Sequence, residues 1–407
     1  MRQTDTTDSV SEPDFPSHSE AIKNLIVVSA ALIGTFLVYS MALIAVPLNA
    51  LDLGATPLLV GFFASVPFFF PLVAAIPTGT LVTRIGGKKV ILIGALGLIA
   101  GPGAFLLIGG YSGIVVAQVV IGMSHLIMVV AAQTIIASLG TGKRLEQYFG
   151  WYAFSLSGAQ LVGPLVAGFL IDYTGSLALP FYAMMATAVL SIVSGLFVSG
   201  RDGRNPSARK SSVGFRAQWT VLQSNQRVQL SIIVTVGAMF AIGAHANFLP
   251  VYLEALDISA TTIGALVSLR AFASMAIRPV MSPFVSLLGG RAVALVLMLT
   301  LLATGLGFTG FTANVWLLGT LAVLVGIGTG VAQPLSVVVL AEGVEDDQRP
   351  GALGMRLMCN RGAQLVAPLL LGVLVDAGGF AMAFTIGGAG IALMLIMASK
   401  LLKRTPV

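Results

Sequence analysis

The sequence predicts an all-α integral membrane protein with twelve transmembrane helices in two pseudo-symmetric six-helix bundles. Three observations carry that prediction. The chain is 57% hydrophobic and only 9% charged, and uncharged apolar runs long enough to cross a bilayer recur along nearly its whole length. The stretch GAQLVGPLVAGFLID at 158–172 returns 204 residues later as GAQLVAPLLLGVLVD at 362–376. Two further echoes share nearly that offset. ALDLGAT, ending at Thr56, reappears as ALDISAT, ending at Thr261, and Ile85, Gly86, Gly87, Lys88 pair with Leu288, Gly289, Gly290, Arg291. Parallel repeats of this kind are a known way of building secondary transporters.

In chain order, residues 1–22 are polar and carry Asp5, Asp8, Glu12, Asp14 and Glu20. They have neither a basic start nor a small-residue cleavage site, so they read as a disordered tail rather than a signal peptide. The first bundle, 23–199, holds predicted helices at 24–50, 57–82, 88–109, 112–139, 147–172 and 177–199. Residues 200–227 carry six arginines and lysines among Ser, Gly, Asn and Pro, which reads as a linker. Within it, 215–222 has the composition of a short interfacial helix. The second bundle, 228–402, holds helices at 228–253, 260–287, 291–310, 313–341, 351–375 and 379–401, followed by a short tail at 403–407. Most turns are a few residues long, so consecutive helices pack antiparallel. Rows of small residues such as Gly94, Gly97 and Gly101 let helices approach closely.

The net charge of +6 is a topology signal and not a sign of nucleic acid. Lys23, Arg84, Lys88, Lys89, Lys143, Arg144, the linker, Arg291, Arg349, Lys400, Lys403 and Arg404 all fall at one side of the predicted bundle. The opposite turns contain no Lys or Arg. By the positive-inside rule both termini are cytoplasmic, in a bacterial-type inner membrane. The single cysteine, Cys359, excludes a disulfide within this sequence.

Between the second and third predicted helices, Gly79, Leu81, Arg84, Gly86, Lys88 and Lys89 resemble the loop signature of the major facilitator superfamily. The resemblance extends over the whole helical region. Thr83 stands where that signature has an aspartate, and Gly87 where it has an arginine. Arg278, Pro279, Ser282, Gly289, Gly290 and Arg291 form a more degraded copy in the second half. The fifth helix, with Gly150, Ala159, Gly163, Pro164, Ala167 and Gly168, is similar to that superfamily's antiporter signature. Small residues and a proline make a bendable, tightly packing helix suited to closing a gate. This resemblance implies alternating access and proton-coupled export, by antiport, of a small organic compound or drug. Gln118, four residues before Gly122, replaces the arginine usual in proton-driven drug exporters. That departure keeps open a second reading, a proton-coupled symporter importing an organic anion.

Polar groups at mid-membrane are costly and therefore mark function. Arg270 and Arg361 each lie about ten residues into a helix, near the midplane at ~1.5 Å rise, with no predicted acid at that depth. Guanidinium grips carboxylate or phosphate through two parallel hydrogen bonds, so an anionic substrate is favoured. Gln160, Gln364, Asn360, Tyr39 and Asn247 are further substrate-binding candidates, with Gln333 as a possible hydrogen-bonding neighbour and Phe68, Phe69 and Phe70 as an apolar wall. His125 and His245 titrate in the right range for proton coupling, and Glu254 joins them. Arg278 and Arg356 are expected to form gate ion pairs with Glu146 and Glu342. Asp172 and Asp376 repeat each other and read as structural. Phosphate-binding loops, metal-ligand clusters and nucleophile elbows are not found, so neither enzyme activity nor a cofactor or metal is expected. The expected partners are a small-molecule substrate, protons and the lipid bilayer, with the protein acting as a monomer.

Overall fold

The computed structural model describes residues 16–140, 142–199, 225–345 and 348–404. The predicted linker, apart from residues 225–227, and its interfacial helix fall outside the described residues, as does most of the N-terminal tail. The first half contains α1 (His18–Asp52), α2 (Pro57–Ile85), α3 (Gly87–Ile108), α4 (Gly110–Ala137), α5 (Gly142–Thr174) and α6 (Leu179–Leu196). The second contains α7 (Gln226–Glu254), α8 (Ala260–Ile277), the short α9 (Met281–Leu287), α10 (Arg291–Gly307), α11 (Val315–Gly343) and α12 (Arg349–Arg404). Among the described residues, eleven helices are long and apolar enough to cross a membrane. The last of them bends at Gly378 and Gly379, where φ and ψ leave the helical region, and supplies two crossings. Twelve crossings result, as the sequence predicts.

Three differences from the expectation have a clear local reason. The first helix begins at His18 instead of near 24, because Ser17 and Glu20 form a capping box: Ser17 Oγ accepts from Glu20 N–H while the Glu20 carboxylate accepts from Ser17 N–H. The acid that read as tail composition is a helix start. The predicted helix 260–287 is broken into α8 and α9, since Pro279 has no N–H to donate and disfavours helical geometry in the residue before it. The third concerns the second echo, whose letters match at an offset of 205 although the structure matches at 203. Gly54 and Asp257 both adopt positive φ, and Thr56 and Ser259, two residues on, cap α2 and α8. The bonds Gly54 N–H to Leu51 O and Ala55 N–H to Ala50 O recur as Asp257 N–H to Glu254 O and Ile258 N–H to Leu253 O. Backbone geometry, not letter identity, sets the register.

The two halves meet along two seams related by the repeat. In one, α5 packs on α8: the Asp172 carboxylate accepts from the N–H groups of Ala260 and Thr261 at 3.0 and 2.7 Å, and Ser268 Oγ donates to Leu161 O at 2.6 Å. In the other, α12 packs on α2: the Asp376 carboxylate accepts from Leu58 N–H at 3.3 Å, and Ser65 Oγ donates to Leu365 O at 2.8 Å. Each aspartate ends one helix and caps the helix facing it from the other bundle, where a negative charge meets unpaired N–H groups. The expected structural role of this pair thereby gains a specific form. Glycines bring the backbones together. A side chain on Gly168 would strike Ala260 and Thr261 and one on Gly264 would strike Pro164; Gly372 and Gly61 stand in the same relation to Pro57 and Pro368.

Both seams lie toward the end of the bundle far from the basic residues. Toward the basic end no such glycine contacts are found among these helices' described residues. Gly150, Gly158, Gly354 and Gly362 have open space where a side chain would stand. Overpacking a tight contact costs about 1–3 kcal/mol, so leucine at Gly168, Gly264, Gly61 or Gly372 is expected to bias the protein toward an open far end. Spin labels on the exposed Tyr173 and Phe311, one on each bundle, check this: the distance distribution should lengthen in each variant, and an unchanged distribution in all four would refute the seam as the closing contact.

Candidate functional site

Between the bundles lies a cavity of about 340 Å³, at the small end of the usual range for small-molecule sites. It is lined from α1, α2, α4 and α5 on one side, and on the other from α7, α8, α11, the first arm of α12 and Arg278, which directly follows α8. The seams close it at the far end. All seven substrate-binding candidates, Arg270, Arg361, Gln160, Gln364, Asn360, Tyr39 and Asn247, stand on its wall, and so do His125, Gln333, Arg278 and Arg356.

Several of these side chains are placed by a neighbour. Arg361 Nη1 donates to Gln364 Oε1 at 3.3 Å, a contact across one helical turn. Asn360 Oδ1 accepts from Thr235 Oγ1 at 2.9 Å, and Asn247 Nδ2 donates to Gly243 O at 2.7 Å. Arg356 is anchored to Gln333 O and Ser336 Oγ, while Arg278 reaches across the bundles to Ser157 Oγ at 3.2 Å. Arg270 is 6% exposed, its Nε is unpartnered, and neither a carboxylate nor a hydrogen bond holds it among the described residues. Four guanidinium groups therefore surround one small cavity whose described lining contains no Asp or Glu.

Several expectations fall elsewhere. His245 is fully buried in α7, off the cavity wall, with both ring nitrogens unpartnered. Glu254 ends α7 and is exposed, so it too stands apart from the lining. Of the phenylalanine run only Phe68 lines the cavity; Phe69 and Phe70 are 59% and 48% exposed. Among the described residues, neither Arg278 nor Arg356 pairs with Glu342. Glu342 holds Arg291 at 2.6 Å on the surface of its own bundle, because α10 and α11 lie side by side there. The Glu146 side chain is outside the described residues. Gly163 and Pro164 pack inside α5, with Ser40 of α1 against Gly163.

The loop-signature residues Gly79, Arg84, Gly86, Lys88 and Lys89 sit at the basic end, away from the cavity. Lys88 Nζ donates to Leu196 O at 2.7 Å, placing a cation on the C-terminal carbonyls of α6. Gln118 is buried and donates to Phe63 O, joining α4 to α2. Sequence reasoning missed Phe36, Ser40 and Ser274 on the cavity wall. Phe36 was within reach, since it precedes Tyr39 by one helical turn.

Comparison with known proteins decides the family. The Major Facilitator Superfamily profile matches residues 28–259 and again 231–407. The chain belongs to the Major Facilitator Superfamily. A protein of Lactococcus lactis subsp. lactis (strain IL1403), named as a multi-drug resistance efflux pump PmrA homolog, is 30% identical over 175 residues, 41% of this chain and 43% of that protein. The crystal structure of the nucleoside transporter NupG is 14% identical with a TM-score of 0.73, over 93% of this chain and 99% of that one. A bacterial homolog of the human lysosomal transporter Spinster, solved inward-facing and unoccupied, is 12% identical with a TM-score of 0.73, over 96% of this chain and 100% of that one. These structures share the fold. The superfamily member described here is thus a multi-pass membrane protein of a transporter family.

Burying an unneutralised charge costs more than burying a neutral polar group. Arg270→Gln is therefore expected to leave the unfolding temperature of the detergent-purified protein unchanged or raised, whereas Arg356→Gln, which strips two hydrogen bonds, should lower it. Thermal unfolding of both variants without ligand checks the ordering; the reverse order would show Arg270 to be structural.

Proposed function

We propose that this protein is a secondary transporter that moves a small organic anion across the membrane by alternating access, with the basic end and both termini in the cytoplasm. The supporting observation is the set of Arg270, Arg278, Arg356 and Arg361 around one cavity with no described carboxylate among them. Such a site rejects cations and leaves guanidinium forks free for an acid group. In this orientation the conformation is open to the cytoplasm and closed outside, and access alternates as the far seams separate and the basic ends of α5 and α12 approach.

Export is the preferred direction. The helix-five resemblance and the partial match to a protein named as an efflux pump both support it. Physics adds a driving force, because an anion leaving a negative interior gains about 2.3 kcal/mol per charge per 100 mV. The second reading, uptake with a proton, rests on His125, whose Nδ1 is buried and unpartnered at the cavity wall. A proton there adds positive charge and strengthens anion binding, and by reciprocity the anion strengthens proton binding. Anion and proton then travel together rather than in exchange, so proton antiport is the coupling this site favours least.

Proteoliposomes with uniform insertion, given glutarate, benzoate or inorganic phosphate, separate these readings. Under export, a membrane potential drives flux of at least one probe without a pH gradient, and Arg270→Gln lowers it at least about tenfold, ~1.4 kcal/mol. Under uptake with a proton, a pH gradient drives flux and His125→Gln removes that dependence. If no probe moves faster in the unsubstituted protein than in Arg270→Gln, the anion reading fails.

A further inference from the structure

The two walls of the cavity differ in chemistry, and the difference follows the boundary between the bundles. The second bundle supplies all four arginines and, among the described lining residues, no aromatic ring. The first supplies Phe36, Tyr39, Phe68 and His125, and no formal cation other than a protonated histidine. These rings form a continuous surface. His125 touches Phe36 at 4.7 Å between ring centroids and Tyr39 at 4.8 Å, and Tyr39 meets Phe68 edge-on at 6.4 Å. Phe36 and Tyr39 lie one turn apart on α1, and the other two rings come from α2 and α4, so three helices must pack together to assemble the wall.

From this division, and resting on the anion reading above, we infer that the cargo is an aromatic acid: a flat ring seated against Phe36, Tyr39 and Phe68, with its acid group on Arg270 and Arg361. Both walls border the same cavity of about 340 Å³, so one small molecule held there meets rings on one side and arginines on the other. Ring edges and faces offer a planar cargo the offset and T-shaped contacts that aromatic pairs prefer, which a saturated ring of equal size cannot reproduce. Guanidinium planes add a second stacking surface opposite the first. The Tyr39 side chain, on the cavity wall, gives a polar substituent on the ring a hydroxyl to bond. An inorganic anion would engage the arginines and leave the ring wall unused.

The test uses the full-length protein in lipid nanodiscs and three probes: 1-naphthoate, its saturated analogue decahydronaphthalene-1-carboxylate, and inorganic phosphate. Naphthoate is expected to bind at least about tenfold more tightly than the saturated acid. Tyr39→Leu and Phe68→Leu should each bring that ratio toward one, and Arg270→Gln should abolish binding of both acids. Thermal unfolding of each variant confirms that it is folded, with Tyr39→Phe as a variant that keeps the ring and should keep the ratio. Equal affinity for the two acids, or binding of phosphate alone, overturns the aromatic inference while leaving the anion reading standing. Failure of all three probes to bind overturns both.

Discussion

The closed far end is the constraint on which the rest of the structure depends. Four glycines on α2, α5, α8 and α12 let backbones touch, and two aspartates extend the contact from one bundle to the first turn of a helix in the other. Without water or a hydrophobic drive between helices in lipid, such close packing and interhelical hydrogen bonds are what hold bundles together. Because the seams occur twice at related positions, they fix both the angle between the bundles and the place where the walls diverge. The cavity is the volume left by that divergence.

Opposed to this ordered end is an electrostatically unsettled middle. Arg356 and Arg278 have found hydroxyl and carbonyl partners, and Arg361 a glutamine, but their charges are not neutralised by any described acid of the lining. Arg270 has less still. Buried charge of this kind is tolerated in membrane proteins where it faces a cavity that water or a ligand can enter. The packing of the seams supplies the stability that the site gives up.

Much of this was legible in the chain. Twelve crossings follow from apolar run length, and the duplication follows from the repeat of Gly158–Asp172. Depth along a helix was enough to find Arg270, Arg361, Gln160 and Gln364, because a midplane position in a two-bundle protein is near the shared cavity. Rotation about the helix axis was not legible, which is why His245 turned out to be packed away while His125 faces the cavity. Partners distant in sequence were equally hidden. Nothing local to Glu342 announces Arg291, and nothing local to Asp172 announces the backbone of Ala260. The register of the second echo was misleading for another reason: two short loops of similar composition can be aligned by their letters, but only the left-handed residue, Gly54 in one and Asp257 in the other, marks the turn.

The four arginines have a consequence for timing. Closing the basic end around an empty cavity would strip water from several like charges at once, whereas closing it around an acid would complete an internal salt. On the anion reading proposed above, the cargo is the missing counter-ion of the occluded protein, a structural part that is borrowed for each crossing and given up at its end. A carrier built this way idles open when it has nothing to carry.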